Sequence, residues 1–406
     1  MFKRIVTVAL AFVGLSVGAG FASGQEVLQF FVHFGVGGLI GAVVVALLMG
    51  WAGGILLQLG SFHQPSDHNV VFQRSFSPIP ARLLDIAVIA TVFSLSTVMF
   101  AGGGSNLNQM WGLPTWVGSV LLLVLVLIAG NAPSERISSV IAWTTPLMVI
   151  LIIVAFVYSV WTFSSDATTS LDSLNAAAAS TSSTLPNVVI AVISYLGFSM
   201  IVIVSMGLVI GGEFINTRVA GIGGVAGGLL FGILLVMVAF TIYVNVGDVG
   251  MDQFPMLSSV TIVSGAAGTL MSIAIYAMIF NSALGMTYAF TCRFVEDRTS
   301  MRFHVVYSVT AVVAFGLSFW GFSNIVGHVF PVLGYIGAVL FLLLSVEYLR
   351  RRTQIKWVSN FRVRRSWPLR KGQKGGSGSA ADAVDQSNTA DKSSAADRSG
   401  AAGKAE

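Results

Sequence analysis

Apolar residues along this chain run in long unbroken blocks rather than in the alternating or one-faced patterns of soluble elements. Taking about 20 apolar residues as the length that crosses a hydrocarbon core, the blocks number ten: roughly 5–34, 37–60, 82–102, 113–130, 137–161, 187–210, 217–245, 258–286, 303–321 and 324–348. Each predicts a transmembrane helix, so the chain reads as an all-α polytopic membrane protein. The first block is interrupted: apolar residues from Ile5 to Val17 give way to three glycines within seven positions, Gly18, Gly20 and Gly24, followed by Gln25 and Glu26. Glycine lets the backbone leave the helical well, and backbone groups freed at bilayer depth need partners where water is scarce. The pattern therefore predicts a helix that stops and restarts, as at the binding sites of many secondary transporters.

Cationic residues test this topology. With the N-terminus in the cytoplasm, the inner segments carry Lys3, Arg4, Arg74, Arg82, Arg136, Arg218, Arg293, Arg298, Arg302 and the tail from Arg350. The outer connections at 35–36, 103–112, 162–186, 246–257 and 322–323 carry no Lys or Arg. The positive-inside rule is obeyed throughout, which predicts ten spans with both termini in the cytoplasm. The Met-Phe-Lys-Arg start is read as the head of the first span rather than a signal peptide.

The outer loop 162–186, rich in Ser, Thr and Ala, divides the chain into two sets of five spans. An odd number in each set inverts the second relative to the first. A transmembrane domain is thus expected over 1–350, with repeats at about 1–161 and 187–350. The sixth span then matches the first, and a break is expected in it near Ser194–Ser199, with Gly207 and Gly211-Gly212 as competing positions. Residues 351–371 form a basic juxtamembrane segment suited to anionic lipid rather than to nucleic acid. The low-complexity stretch 372–406 is expected to be a disordered cytoplasmic tail.

Composition agrees: of 406 residues 55% are hydrophobic and 10% charged, with mean hydropathy +0.84, against about a quarter charged in soluble globular proteins. Cys292 is the single cysteine, which excludes an internal disulfide and a cysteine-based metal site. His63 and His68, in the cytoplasmic loop 61–81 with Pro65, Pro78 and Pro80, read as solvated side chains. No Walker loop, HExxH motif or catalytic Cys/His pair is present, and the runs Gly102–Gly104 and Gly221–Gly224 lack the strand–turn–helix context of phosphate loops. The chain is not read as an enzyme and needs no cofactor beyond a coupling ion.

The candidate substrate site is the first-span break, Gly18, Ala19, Gly20, Phe21, Ala22, Ser23 and Gly24, with Tyr195, Gly197, Phe198 and Ser199 of the sixth span. Amides around Ala22–Gly24 suit an anionic group such as an amino-acid carboxylate, and carbonyls around Gly18 and Ala19 suit a cation. The plainer alternative is that these glycines only bring helices close and the aromatics only pack. Glu26, an acid inside a span, is a functional candidate by cost alone: it would carry a proton, pair with a cationic substrate group, or gate access. Gln25 shares that position. Asn281 and Ser282 in the eighth span offer oxygens to Na⁺, or ordinary hydrogen bonds between helices. Ser94, Ser96 and Thr97 read as hydroxyls bonded to their own helix.

The segment from Val13 to Glu26 resembles the signature of the YkvI family of bacterial membrane proteins, classed with amino acid permeases and similar to the amino acid/polyamine/organocation superfamily. The likeness covers about residues 1–350. It implies a leucine-transporter fold of five-plus-five inverted repeats with helices 1 and 6 discontinuous, and a substrate site between them. It also puts Asn281 and Ser282 where sodium-coupled relatives have hydroxyls, with Asn replacing the usual Ser or Thr. The function expected is an ion-coupled secondary transporter of amino acids or small amines, using Na⁺ or H⁺. A receptor or scaffold of the same fold and a passive channel are the alternatives. Oligomeric state is not legible here.

Overall fold

Long apolar runs become helices because in lipid each backbone group must be bonded within its own segment. The computed structural model describes residues 2–64, 78–131, 138–165, 170–214, 216–295, 297 and 300–365, and all regular structure among them is helical. The first block forms α1 (Phe2–Ser16), α2 (Ala19–Ser23), α3 (Gln25–Phe30) and a 3₁₀ turn at Val32–Phe34. Then follow α4 (Gly35–His63), α5 (Pro78–Trp111), α6 (Thr115–Gly130) and α7 (Ser138–Ser165). After the short α8 (Leu171–Ala179) come α9 (Val188–Glu213) and α10 (Thr217–Val244). The short α11 (Val246–Val249) and α12 (Pro255–Val263) lead to α13 (Gly265–Thr291), α14 (Met301–Ser318) and α15 (Phe322–Arg365). Residues 1–362 form one compact unit.

Among the described residues eight helices are long and apolar enough to cross a membrane by length and composition, and Thr115–Gly130 is a shorter apolar helix. The count of ten is not reproduced by that measure, because α1 is only 15 residues and α6 only 16, short of a full crossing alone. The eighth span also moves: expected at 258–286, it begins at Gly265, after an extended Ser264 (φ −166°, ψ 133°) closes α12.

The sixth span is corrected more sharply. It runs unbroken as α9 from Val188 to Glu213. Gly197, expected to loosen it, instead lies at a helix crossing, where an added Cβ would strike the backbone of Gly334 and Ala338 on α15. Its small size is used for contact, not for unwinding. Gly211 similarly faces the backbone of Leu57 on α4.

Two groups of helices emerge. In one, α4 packs on α10 and α9, and α1 on α10. Gly53 and Gly224 meet there with no room for a side chain on either, the small-residue packing that association in lipid favours. In the other, α13 packs on α5 and α6, and α14 on α5 and α6. Ser96 and Thr287 share a hydrogen bond of 2.8 Å, the Ser272 hydroxyl donates to Asn106 at 2.9 Å, and the Tyr276 and Tyr307 hydroxyls donate to the carbonyls of Gly118 and Val126. Ser96 thus bonds across helices, whereas Thr97 bonds its own Phe93 carbonyl as expected.

Side-chain bonds join helix ends that the ten-span reading puts on a common side. Ser61 with Phe214, Arg293 with Asp85 and His304 with Asn131 join ends predicted on one side. Asn175 with Val36 and Tyr243, Gln109 with Phe254, and Ser183 with Gln29 join ends predicted on the other. His68, Arg74, Arg136, Arg298 and the tail beyond 365 lie outside the described residues.

Candidate functional site

The break in the first span has two joints. α1 ends at Ser16, and Gly18 is extended (φ −98°, ψ 177°), a conformation open to any residue. The second joint, Gly24, is left-handed (φ 79°, ψ −6°) between α2 and α3, which favours glycine on steric grounds. A Cβ there would also crowd Ile242 at 2.7 Å and Met256 at 3.0 Å. Ser23 closes the turn: its hydroxyl donates to the Gly20 carbonyl at 2.6 Å and accepts the Gln25 N–H at 3.1 Å.

The free amides lie elsewhere than expected. The Ala22 N–H donates to the Gly18 carbonyl and the Gly24 N–H to the Phe21 carbonyl. Ala22, Ser23 and Gly24 build the turn; the unspent end of α2 is at Ala19–Phe21. The Gly18 carbonyl, expected to face a cation, is already the acceptor for Ala22.

Between the two helix groups lies a small cavity with room of about 70 Å³. Of the expected residues, Gly18, Ala19, Gly20, Phe21, Glu26, Tyr195, Phe198, Ser199 and Ser282 line it. Gln25, Gly197 and Asn281 do not line it, nor do Ala22–Gly24. Asn281 and Ser282 are therefore separated, and only the hydroxyl of Ser282 reaches the cavity.

Glu26 is the focus. It stands in the first turn of α3, 5% exposed, and accepts a hydrogen bond of 3.1 Å from the Tyr195 hydroxyl, itself 1% exposed. Its other oxygen folds back over α2, 3.1 Å from where a Cβ of Gly20 would sit. Gly20 is thus small to leave room for the carboxylate. The walls are apolar: Phe198 stacks on Phe330 at 4.2 Å and Phe21 tilts against Phe231 at 5.1 Å. Phe231, Phe330, Leu95 and Met99 were not legible in advance, since single aromatics and aliphatics in apolar helices carry no distinguishing pattern. Among the described residues no cluster of three His, Cys, Asp or Glu could hold a metal ion.

Next to Glu26 a polar layer joins α3 to the start of α15. The Gln25 amide donates to the Ser323 hydroxyl at 3.2 Å and the Gln29 amide to the Ser323 carbonyl at 3.4 Å. Ser183 donates to the Gln29 carbonyl at 2.8 Å. Pro331 inside α15 has no N–H for the carbonyl of Gly327, and the Thr184 hydroxyl donates to that carbonyl at 2.5 Å. The proline thereby creates the anchor point for the 180–187 connection.

No family model matches the chain. It is 22% identical over 350 residues to the membrane protein YkvI of Bacillus subtilis (strain 168), covering 85% of this chain and 96% of that one. It is 26% identical over 339 residues to YyaD of the same organism, covering 82% and 94%. Among solved structures, MhsT in complex with L-phenylalanine aligns with a TM-score of 0.57 at 16% identity, over 87% of this chain and 95% of that one. A manganese transporter of Eremococcus coleocola aligns with a TM-score of 0.51 at 13% identity, over 89% and 92%. In sequence the chain is similar to YkvI and YyaD of Bacillus subtilis, and in fold it is similar to MhsT, with the leucine-transporter fold.

Proposed function

We propose that the protein is a secondary transporter of a small amine-bearing solute, an amino acid or a related amine, working by alternating access in the bacterial cell membrane. The observation that carries this reading is the cavity at the helix break, which holds a buried carboxylate and is lined from both helix groups. Binding within it gives the solute a route if one group rocks against the other. The similar structures named for a bound amino acid and for manganese transport support transport and leave the solute open.

With both termini cytoplasmic, the Gln25–Gln29–Ser323 layer is the outer closure. The coupling ion is Na⁺ or H⁺. Na⁺ would use the Ser282 hydroxyl with carbonyls at the end of α1; H⁺ would use Glu26. Flux into proteoliposomes tests the reading with radiolabelled L-phenylalanine and phenethylamine, under an imposed Na⁺ gradient, an imposed proton gradient, and neither. Accumulation above the external concentration under one gradient is expected. Equilibration insensitive to both gradients is the behaviour of a channel, and binding without flux that of a receptor.

A further inference from the structure

We propose that the cavity takes a monovalent organic cation: an amine whose ammonium meets Glu26 and whose apolar body lies among the phenylalanines, with no carboxylate required. This rests on the transporter reading of the same site and narrows its substrate. Among the described residues lining the cavity Glu26 is the one carboxylate, and none is Lys, Arg or His. Its hydrogen-bond donor is the neutral phenol of Tyr195, so in its ionised form it has no cationic partner among the lining residues. A buried charge without a counter-ion is costly, and an incoming ammonium supplies one.

The same geometry disfavours a solute carboxylate. The unspent amides of α2 begin at Ala19 and Gly20, and Gly20 lies directly against the Glu26 oxygen. A carboxylate drawn there would meet a like charge at close range in a low-dielectric site. A second ammonium on the solute would have no second acid to meet, which separates monoamines from diamines. Phe21, Phe198, Phe231 and Phe330 supply apolar surface and ring faces suited to a cation. Independently, the outer connections carry Asp166, Asp172, Asp248 and Asp252 and no Lys or Arg, a field that draws cations to that side.

The test is ligand-dependent thermal stabilisation of the purified full chain, titrated with phenethylamine, L-phenylalanine, 3-phenylpropionate and putrescine. Phenethylamine is expected to bind tightest, and Glu26→Gln to weaken it about tenfold or more. Should Glu26→Gln fail to fold, the ranking of the four probes on the wild type decides. L-Phenylalanine or 3-phenylpropionate binding tighter than phenethylamine would overturn the proposal. So would equal or tighter binding of putrescine, no binding of phenethylamine, or unchanged phenethylamine affinity in Glu26→Gln, which would leave Glu26 to the proton. The two readings fail separately: phenethylamine binding without flux sinks transport and keeps the class, whereas uptake of L-phenylalanine without phenethylamine binding does the reverse.

Discussion

Gly18, Gly20 and Gly24 share one motif but answer to three different physical demands. Gly24 sits at a positive φ and is hemmed by Ile242 and Met256. Gly24→Ala is expected to lose about 1–2 kcal/mol from backbone conformation alone, with crowding added, read as a lower melting temperature in detergent. Gly18 is extended and has open space where a Cβ would be, so Gly18→Ala should melt like the wild type. A fall as large as that of Gly24→Ala would mean that the break is misplaced. Gly20 makes room for the Glu26 carboxylate, so Gly20→Leu should fold less readily and abolish uptake by filling the cavity; undiminished uptake would remove the site. The motif was readable as a break because glycines beside a carboxylate have no use in a continuous lipid-facing helix. Which glycine did what was not, since φ and neighbours belong to the folded chain.

At the scale of elements, the polar layer beside Glu26 is held by few bonds. If it is the outer closure, removing one bond shifts the balance toward opening. Ser323→Ala or Thr184→Val should each cost the closed form about 1 kcal/mol, roughly a fivefold rise in the open population. Ser282→Cys in a Cys292→Ser background reports it, as faster labelling by an impermeant thiol reagent from outside. An unchanged labelling rate would mean that this layer is not the closure. The continuous α9 marks the limit of sequence reading at this scale. A glycine flanked by hydroxyls predicts a break and a close crossing equally well, and only the backbone of α15 at Gly334 and Ala338 decides between them. Gly197→Leu should therefore destabilise the protein as a packing error, lowering its melting temperature even without solute.

For the whole molecule, which helix ends lie together was legible because block length and the number of spans are properties of sequence alone. Bonds such as Ser61 with Phe214 at one end and Gln109 with Phe254 at the other agree with it. The partition into two helix groups was not legible, because glycine contacts like that of Gly53 with Gly224 form between segments far apart in the chain. That partition sets Glu26 from the first span, Tyr195 from α9 and Ser282 from α13 around one space. In the proposed function this space is the transport site and Glu26 its working group. The most direct measurement is uptake of radiolabelled phenethylamine into proteoliposomes bearing wild-type protein or Glu26→Gln, at matched incorporation and under both Na⁺ and proton gradients. The account predicts accumulation with the wild type under one gradient and its loss in Glu26→Gln with the variant still folded. Wild-type accumulation by Glu26→Gln under both gradients would contradict it.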